Sequence, residues 1–96
     1  MIIVDDLVTY PNCKLPYKTW GHMMTDDLTP AGLNELHTMA SMIGLKRSWF
    51  QDHPTMPHYD LTPSKRTLAK KAGALEMDGK EMFSRCFRGE RRPIFP

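Results

Sequence analysis

The four residues Asp-Leu-Thr-Pro occur twice in this chain, at 27–30 and at 60–63. In each copy the threonine can accept a hydrogen bond from an unpaired backbone N–H of a helix's first turn, and proline has no N–H to leave unpaired there. Each copy therefore predicts the start of a helix. The first helix is expected over about 30–43, because apolar residues recur there at helical spacing and Gly44 can cap its end.

Other local sequence patterns predict a third helix and three short strands. Asp78-Gly79-Lys80-Glu81 has the form of a capping box, so a helix is expected to follow it. The expected inner faces are Leu68, Ala69 and Ala72 in the second helix, and Met82, Phe83, Cys86 and Phe87 in the third. Strands are expected at residues 1–4, 58–61 and 74–77, whereas 18–24 fits either a short strand or an irregular segment. Trp49 and Phe50 are expected to anchor the loop at 45–57 to the core.

The order of these elements predicts an α/β fold, with a small, open, mostly parallel sheet and three crossover helices. A chain of 96 residues has room for one domain, so we expect a single α/β domain over 1–96, with 89–96 as a basic C-terminal tail. No apolar run approaches the roughly 18 residues of a membrane span. The N-terminus lacks a signal-peptide pattern, and Cys13 and Cys86 form no metal or redox motif. These features predict a cytoplasmic protein without a membrane partner.

Acidic residues and a histidine follow the first two predicted strands. In open parallel sheets ligands bind outside the carboxyl ends of the strands, so Asp5, Asp6, His58 and Asp60 are expected at one rim and are the candidate catalytic residues. Asp5, Asp6 and Asp60 are candidate ligands for Mg²⁺ or Mn²⁺, since carboxylates suit hard cations. Alternatively, a histidine acts as a general base while an aspartate fixes its tautomer. Each of these residues also has a structural interpretation, as a strand end or a satisfied core histidine.

A second group of residues is predicted to bind a ligand beside this rim. Lys65 and Arg66, in the first turn of the second helix, place positive charge beside a helix N-terminus, which favours an anion. Trp20 is compatible with a stacking platform or a core anchor. The predicted ligand-binding residues are Trp20, His22, Asp27, Tyr59, Lys65 and Arg66.

These residues leave three hypotheses about function open. The first is binding of a nucleotide or related phosphorylated small molecule at the rim, which in a phage could sequester a signalling nucleotide. The second is a metal-dependent phosphoesterase or nuclease that uses the Asp/His cluster. The third is a protein or nucleic-acid interaction module, because residues 61–96 carry nine bases against four acids, with several arginines near the C-terminus. A homodimer through Ile94 and Phe95 is compatible with all three.

Several short segments in one order carry a family likeness. They are Met-Ile-Ile-Val-Asp-Asp at the start, Trp20-Gly21-His22, Asp26-Asp27, Glu35-Leu36-His37, Ile43-Gly44-Leu45, His58-Tyr59-Asp60-Leu61, Arg66 and Ala72-Gly73-Ala74. The chain up to about Arg88 resembles a bacterial and phage family catalogued as domain of unknown function number four thousand and thirty-one. The resemblance implies a cytosolic, standalone domain and strengthens Asp5, Asp6, His22, His58, Tyr59, Asp60 and Arg66 as site candidates. It implies no activity.

Overall fold

A computed structural model describes residues 1–87 of the chain. The strands are β1 (Ile2–Val4), β2 (Val8–Thr9), β3 (Thr19–Thr25), β4 (Tyr59–Leu61) and β5 (Leu75–Glu76). The α-helices are α1 (Pro30–Met42), α2 (Pro63–Lys71) and α3 (Gly79–Cys86), and Arg47–Trp49 form one turn of 3₁₀ helix. The α/β class is thereby confirmed. The predicted C-terminal tail, residues 89–96, lies outside the described residues.

The five strands form a mixed sheet around β3, so the prediction of a mostly parallel sheet is wrong. β1, β2 and β4 all pair with β3 in the antiparallel sense, and only β5 pairs in parallel, with β1. β3 occupies the segment whose pattern fitted either a strand or an irregular segment. The chain passes from β2 to β3 through the short connection 10–18, and such a connection suits an antiparallel return, whereas a parallel neighbour needs a longer crossover.

All three helices begin where the capping residues predicted. Thr29 accepts a hydrogen bond from the amide of Gly32, Thr62 from that of Lys65, and Asp78 from that of Glu81. α1 and α2 are followed by Gly44 at φ 89° and Gly73 at φ 110°. This left-handed region strains residues that carry a Cβ, so both glycines suit a helix end.

The two faces of the sheet carry separate clusters of buried side chains. On one face α1 and α2 pack against Ile2, Val4, Met23, Tyr59 and Leu61. On the other face α3 packs against Ile3 and Met24, through Met82 and Cys86. Successive residues of a strand point to opposite faces, so Met23 and Met24 belong to different clusters. Among residues 1–87, no helix is both long enough and apolar enough to cross a bilayer.

Three side chains predicted to point inward are half-exposed instead: Leu68, Phe83 and Trp49, at 43%, 50% and 50%. α2 is only nine residues long and meets the sheet through Ala69, so its neighbour Leu68 turns to solvent. In α3 the buried pair is Met82 and Cys86, four residues apart, which leaves Phe83 beside that stripe.

Candidate functional site

A β-bulge lies at the start of the site. Val4 is paired with Met23 and Val8 with Trp20, so three residues of the first chain segment, 5–7, face two residues of β3, Gly21 and His22. The extra residue bends a strand locally and redirects its side chains, and bulges are frequent beside functional sites. Here the bulge turns Asp5 back toward β3, where its side chain is 10% exposed.

Asp5 binds His22 through both its carboxylate oxygens. Oδ1 accepts a hydrogen bond from the backbone amide of His22 at 2.6 Å, and Oδ2 lies 2.8 Å from the ring atom Nδ1. A carboxylate can only accept, so Nδ1 of the neutral ring carries the proton and Nε2 keeps a free lone pair. The bulge therefore fixes both the orientation and the tautomer of His22.

β4 brings two further polar side chains to the same face. Asp60 is the cross-strand partner of His22, and the backbone groups of His22 bond toward Asp5 instead of toward β4. The pair is thus of the non-hydrogen-bonded kind, in which opposing side chains lie closest. His58 precedes β4, and its Nδ1 lies 2.6 Å from the carbonyl oxygen of Met56. A carbonyl only accepts, so in the neutral ring Nε2 of His58 also has a free lone pair.

Three potential ligand atoms converge at this point. Asp60 Oδ1 lies 3.4 Å from His58 Nε2 and 3.8 Å from His22 Nε2, and the ligand atoms of the three residues all lie within 4.8 Å of one another. Gln51 forms an isolated antiparallel bridge with His58 and donates its side-chain N–H to the second oxygen of Asp60. In the neutral histidines described above, all three converging atoms are hydrogen-bond acceptors, so a proton or a cation is needed between them.

The electrostatics of the cluster favour positive charge. Burial by itself lowers the pKa of His58, but the hydrogen bonds to Asp60 and the Met56 carbonyl and the charges of Asp60 and Asp5 outweigh it and raise that pKa above its usual value. Burial conversely favours a raised pKa for Asp60, yet hydrogen bonds from His58 and Gln51 lower it overall. The carboxylate of Asp60 is therefore held in its charged form beside the imidazoles.

Arg66 supports the bulge from α2. Its Nε donates to the backbone carbonyl of Asp5 at 2.6 Å, and its Nη2 pairs with Glu76 of β5. Gly21 lies under the same bulge, and a Cβ at that position would stand 3.3 Å from Asp5 Oδ1. Arg66 thus holds the backbone of Asp5 while Gly21 leaves room for its carboxylate.

Two cavities open beside the cluster, and each is lined in part by residues of the cluster. The smaller, of about 310 Å³, is lined by Asp5, His22 and His58 together with Met24, His53, Met56, Gly79, Met82 and Phe83. The larger, of about 670 Å³, is lined by Asp60 and Gln51 and by a mainly apolar wall. Asp60 thus lies between the second cavity and the two histidines that border the first.

The structure brings Asp5, His22, His58 and Asp60 together and places other predicted site residues elsewhere. Trp20 and Lys65 line the larger cavity, where Lys65 Nζ also donates to the carbonyl of Ile43 at the end of α1. Asp27 accepts hydrogen bonds from the amide and hydroxyl of Thr29, so its carboxylate stabilises the start of α1 and has a lowered pKa.

Two further predicted site residues lie away from the cluster. Tyr59 is fully buried on the opposite face, where its hydroxyl lies 2.9 Å from His37 Nδ1. Asp6 is exposed and lines neither of the two cavities described above. The carboxylate of Asp5 contacts His22 Nδ1 and does not belong to the group of three converging ligand atoms.

Sequence reasoning did not single out Gln51 or His53. Gln51 reaches Asp60 only because the chain folds back at 51–58, and no motif marks that contact. His53 lines the smaller cavity, and its Nδ1 faces the amides of Thr55 and Met56. An amide only donates, so this ring presents Nε2–H when it is neutral. The sequence His-Pro-Thr around His53 indicated a loop, and nothing in it indicated a cavity wall.

A family model described as "Protein of unknown function (DUF4031)" matches residues 2–88. The match covers most of the chain, so the chain belongs to this family, and the resemblance noted in the sequence is confirmed. No curated protein and no solved structure is significantly similar to it.

Proposed function

We propose that this member of the DUF4031 family is a metal-dependent hydrolase whose divalent cation is bound by His22, His58 and Asp60. The observation that carries the proposal is the convergence of two imidazole Nε2 atoms on one carboxylate oxygen, at 3.8 and 3.4 Å. Ligands at about 2.1 Å in a tetrahedral site stand roughly 3.4 Å apart, so the spacing is close to that of a coordination shell.

The outer contacts of the cluster are of the kind that orient metal ligands. Each of the three residues has its other polar atom engaged: His22 by Asp5, His58 by the Met56 carbonyl and Asp60 by Gln51. Metal-binding histidines almost always donate their second N–H to a carboxylate or carbonyl in this way.

The donor set favours a borderline transition metal. Two imidazoles and one carboxylate suit Zn²⁺ or Fe²⁺ better than Mg²⁺, which prefers oxygen ligands alone. The expectation of Mg²⁺ or Mn²⁺ depended on Asp5, Asp6 and Asp60 acting together, and these carboxylates do not converge.

Three protein ligands leave a coordination position open, as catalytic metal sites do. A metal ion held by His22, His58 and Asp60 would lower the pKa of a water bound at the open position to near neutrality and would polarise the group under attack. In the hydrolysis itself, the water oxygen bonds to the electrophilic centre, the bond to the leaving group breaks, and a proton passes to that group. His53 lines the adjoining cavity, where the Nε2–H of its neutral ring would donate to a bound substrate.

Metal binding is the first test. The protein is stripped with a chelator and titrated with Zn²⁺ by calorimetry, where we expect one site per chain with a Kd below about 1 μM. His58→Gln and Asp60→Asn each remove a ligand and should weaken binding by more than about 100-fold. His53→Gln is the matched control, because it changes a histidine of the same cavity outside the ligand set.

Hydrolysis is measured on the same preparations with a chromogenic phosphomonoester and a chromogenic phosphodiester, in the presence of Zn²⁺ or Fe²⁺. Turnover should depend on the added ion and disappear in His58→Gln. Absence of any Zn²⁺ site in the stripped protein, or equal losses of Zn²⁺ affinity in His53→Gln and His58→Gln, would contradict the proposal.

A further inference from the structure

The larger cavity is walled by aromatic rings in a way that the proposed metal site does not require. Tyr17, Trp20, Trp49 and Phe50 line it, and the two tryptophans of the chain are thus both in one cavity. Tyr17 and Trp49 are 59% and 50% exposed. Large exposed apolar side chains around a concave site indicate a ligand surface more than a folding requirement.

The orientation of Trp20 is fixed by contacts with Tyr17. Its indole N–H donates to the backbone carbonyl of Tyr17 at 3.0 Å, and the two rings meet edge to face with centroids 6.3 Å apart. The polar atom of the indole is therefore satisfied by the protein, so the ring can contribute an apolar face to a ligand. A fixed aromatic face of this kind suits stacking by a planar ring.

Polar groups line the same cavity on two sides. On the side of the metal cluster are the carboxylate of Asp60 and the amide of Gln51. On the side of α2 are Thr62, Ser64 and Lys65, where the Thr62 and Ser64 hydroxyl oxygens lie 3.4 Å apart. An aliphatic ligand would bring no hydrogen-bonding partners for these groups, whereas a heteroaromatic ring joined to a sugar brings several.

We infer that the cavity binds the nucleoside part of a free mononucleotide, with its base against the aromatic wall and its phosphate directed past Asp60 to the metal cluster. The direction of the phosphate rests on the proposed hydrolase function, whereas the base-binding part does not. A volume of about 670 Å³ is within the range of small-ligand sites and accommodates one nucleotide. The substrate class is therefore a nucleoside phosphate ester.

Binding is measured by quenching of intrinsic tryptophan fluorescence, since Trp20 and Trp49 are the only tryptophans and both face the cavity. The stripped protein is titrated with the four nucleoside monophosphates, with adenosine, and with ribose 5-phosphate as a control without a base. We expect saturable quenching by at least one nucleotide and its nucleoside, and none by ribose 5-phosphate. Zn²⁺ should strengthen binding of the monophosphate several-fold and leave that of adenosine unchanged.

Variants locate the ligand by calorimetry. Trp49→Ala removes a half-exposed ring and should weaken nucleotide binding by about 10-fold or more, the loss expected for one stacked base. Trp20→Phe keeps an aromatic face and should retain most of the affinity. Tyr10→Ala, which truncates an exposed aromatic residue outside the cavity, is the matched control and should bind as the unchanged protein does.

The two proposals fail separately. Zn²⁺ binding without quenching by any nucleoside or nucleotide would overturn this inference and leave the hydrolase intact. Nucleotide binding without a Zn²⁺ site would overturn the proposed hydrolase function and the proposed placement of the phosphate toward the metal cluster. Binding of a short single-stranded oligonucleotide far more tightly than any mononucleotide would overturn the assignment to free nucleotides.

Discussion

The two faces of the sheet place a histidine beside an oxygen atom in opposite surroundings. On the α1 face, His37 Nδ1 lies 2.9 Å from the hydroxyl of Tyr59. On the α3 face, His58 and His22 stand beside the carboxylates of Asp60 and Asp5. Tyr59 and Asp60 are consecutive residues of β4 that face opposite sides of the sheet, so one strand supplies both environments.

The difference appears in the two histidines' pKa values. Burial lowers the pKa of His37, the positive charge of Arg47 lowers it further, and Asp52 opposes this only in part. Burial also acts to lower the pKa of His58, but the partner there is a carboxylate and the pKa is raised. The neutral hydroxyl beside His37 does not favour a charged ring, whereas the carboxylate beside His58 does.

The largest loss of stability is expected from a substitution that disrupts the packing of the α1 face alone. Tyr59→Ala removes a fully buried ring and should lower the free energy of unfolding by about 3–5 kcal/mol, since a cavity remains. Tyr59→Phe, which deletes only the hydroxyl, should cost about 1 kcal/mol. Denaturant unfolding in the presence of a chelator measures both. Asp60→Asn should cost less than Tyr59→Ala, and the opposite order would contradict the division of roles between the faces.

An intermediate effect is expected from the outer contact of the α3 face. Asp5→Asn can keep an oxygen for the His22 amide, but its NH₂ would then donate to Nδ1 and move the ring proton to Nε2. Zn²⁺ affinity should fall by about 10- to 100-fold, the usual loss when a residue that hydrogen-bonds to a metal ligand is substituted. The tautomer is read from the ¹⁵N shifts of His22. Asp6→Asn, at the exposed neighbouring position, is the control, and an unchanged tautomer in Asp5→Asn would refute the explanation.

The smallest effect concerns the pH dependence of stability. The pKa of His37 lies below its unfolded value of 6.5, so the unfolded chain binds more protons in the window between the two. The contribution of this residue is fully present above pH 6.5 and is lost as the pH falls through the window. Relative to His37→Gln, the unchanged protein should therefore lose stability on acidification from pH 7.

The groups that face His37 are Tyr59, Phe50, Arg47 and Asp52. The measurement is denaturant unfolding of both proteins at several pH values with metal removed. Tyr59→Phe should retain the direction of the effect, because burial is its largest cause. A gain of relative stability toward acid would show that the Asp52 charge dominates instead.

Much of the local structure was predictable because its signals are local. Thr29, Thr62 and Asp78 accept hydrogen bonds from amides three residues later, so the sequence within one helical turn specifies each helix start. The acids and histidines at 5, 22, 58 and 60 were also identifiable, since each is a polar residue in or next to a predicted strand or shortly before a predicted helix. Their meeting at one point was expected only from a parallel sheet that does not exist.

The sequence by itself determined the three helix starts, the α/β class and the family. Only the tertiary structure decided that β3 is the central antiparallel strand, that a bulge turns Asp5 onto His22, and that Gln51 reaches Asp60. It also placed Tyr59 and Asp27 in packing and capping roles. The physical reason is range: caps depend on neighbours within one turn, whereas register, bulges and cross-strand contacts join residues far apart in the chain, and no short segment encodes them.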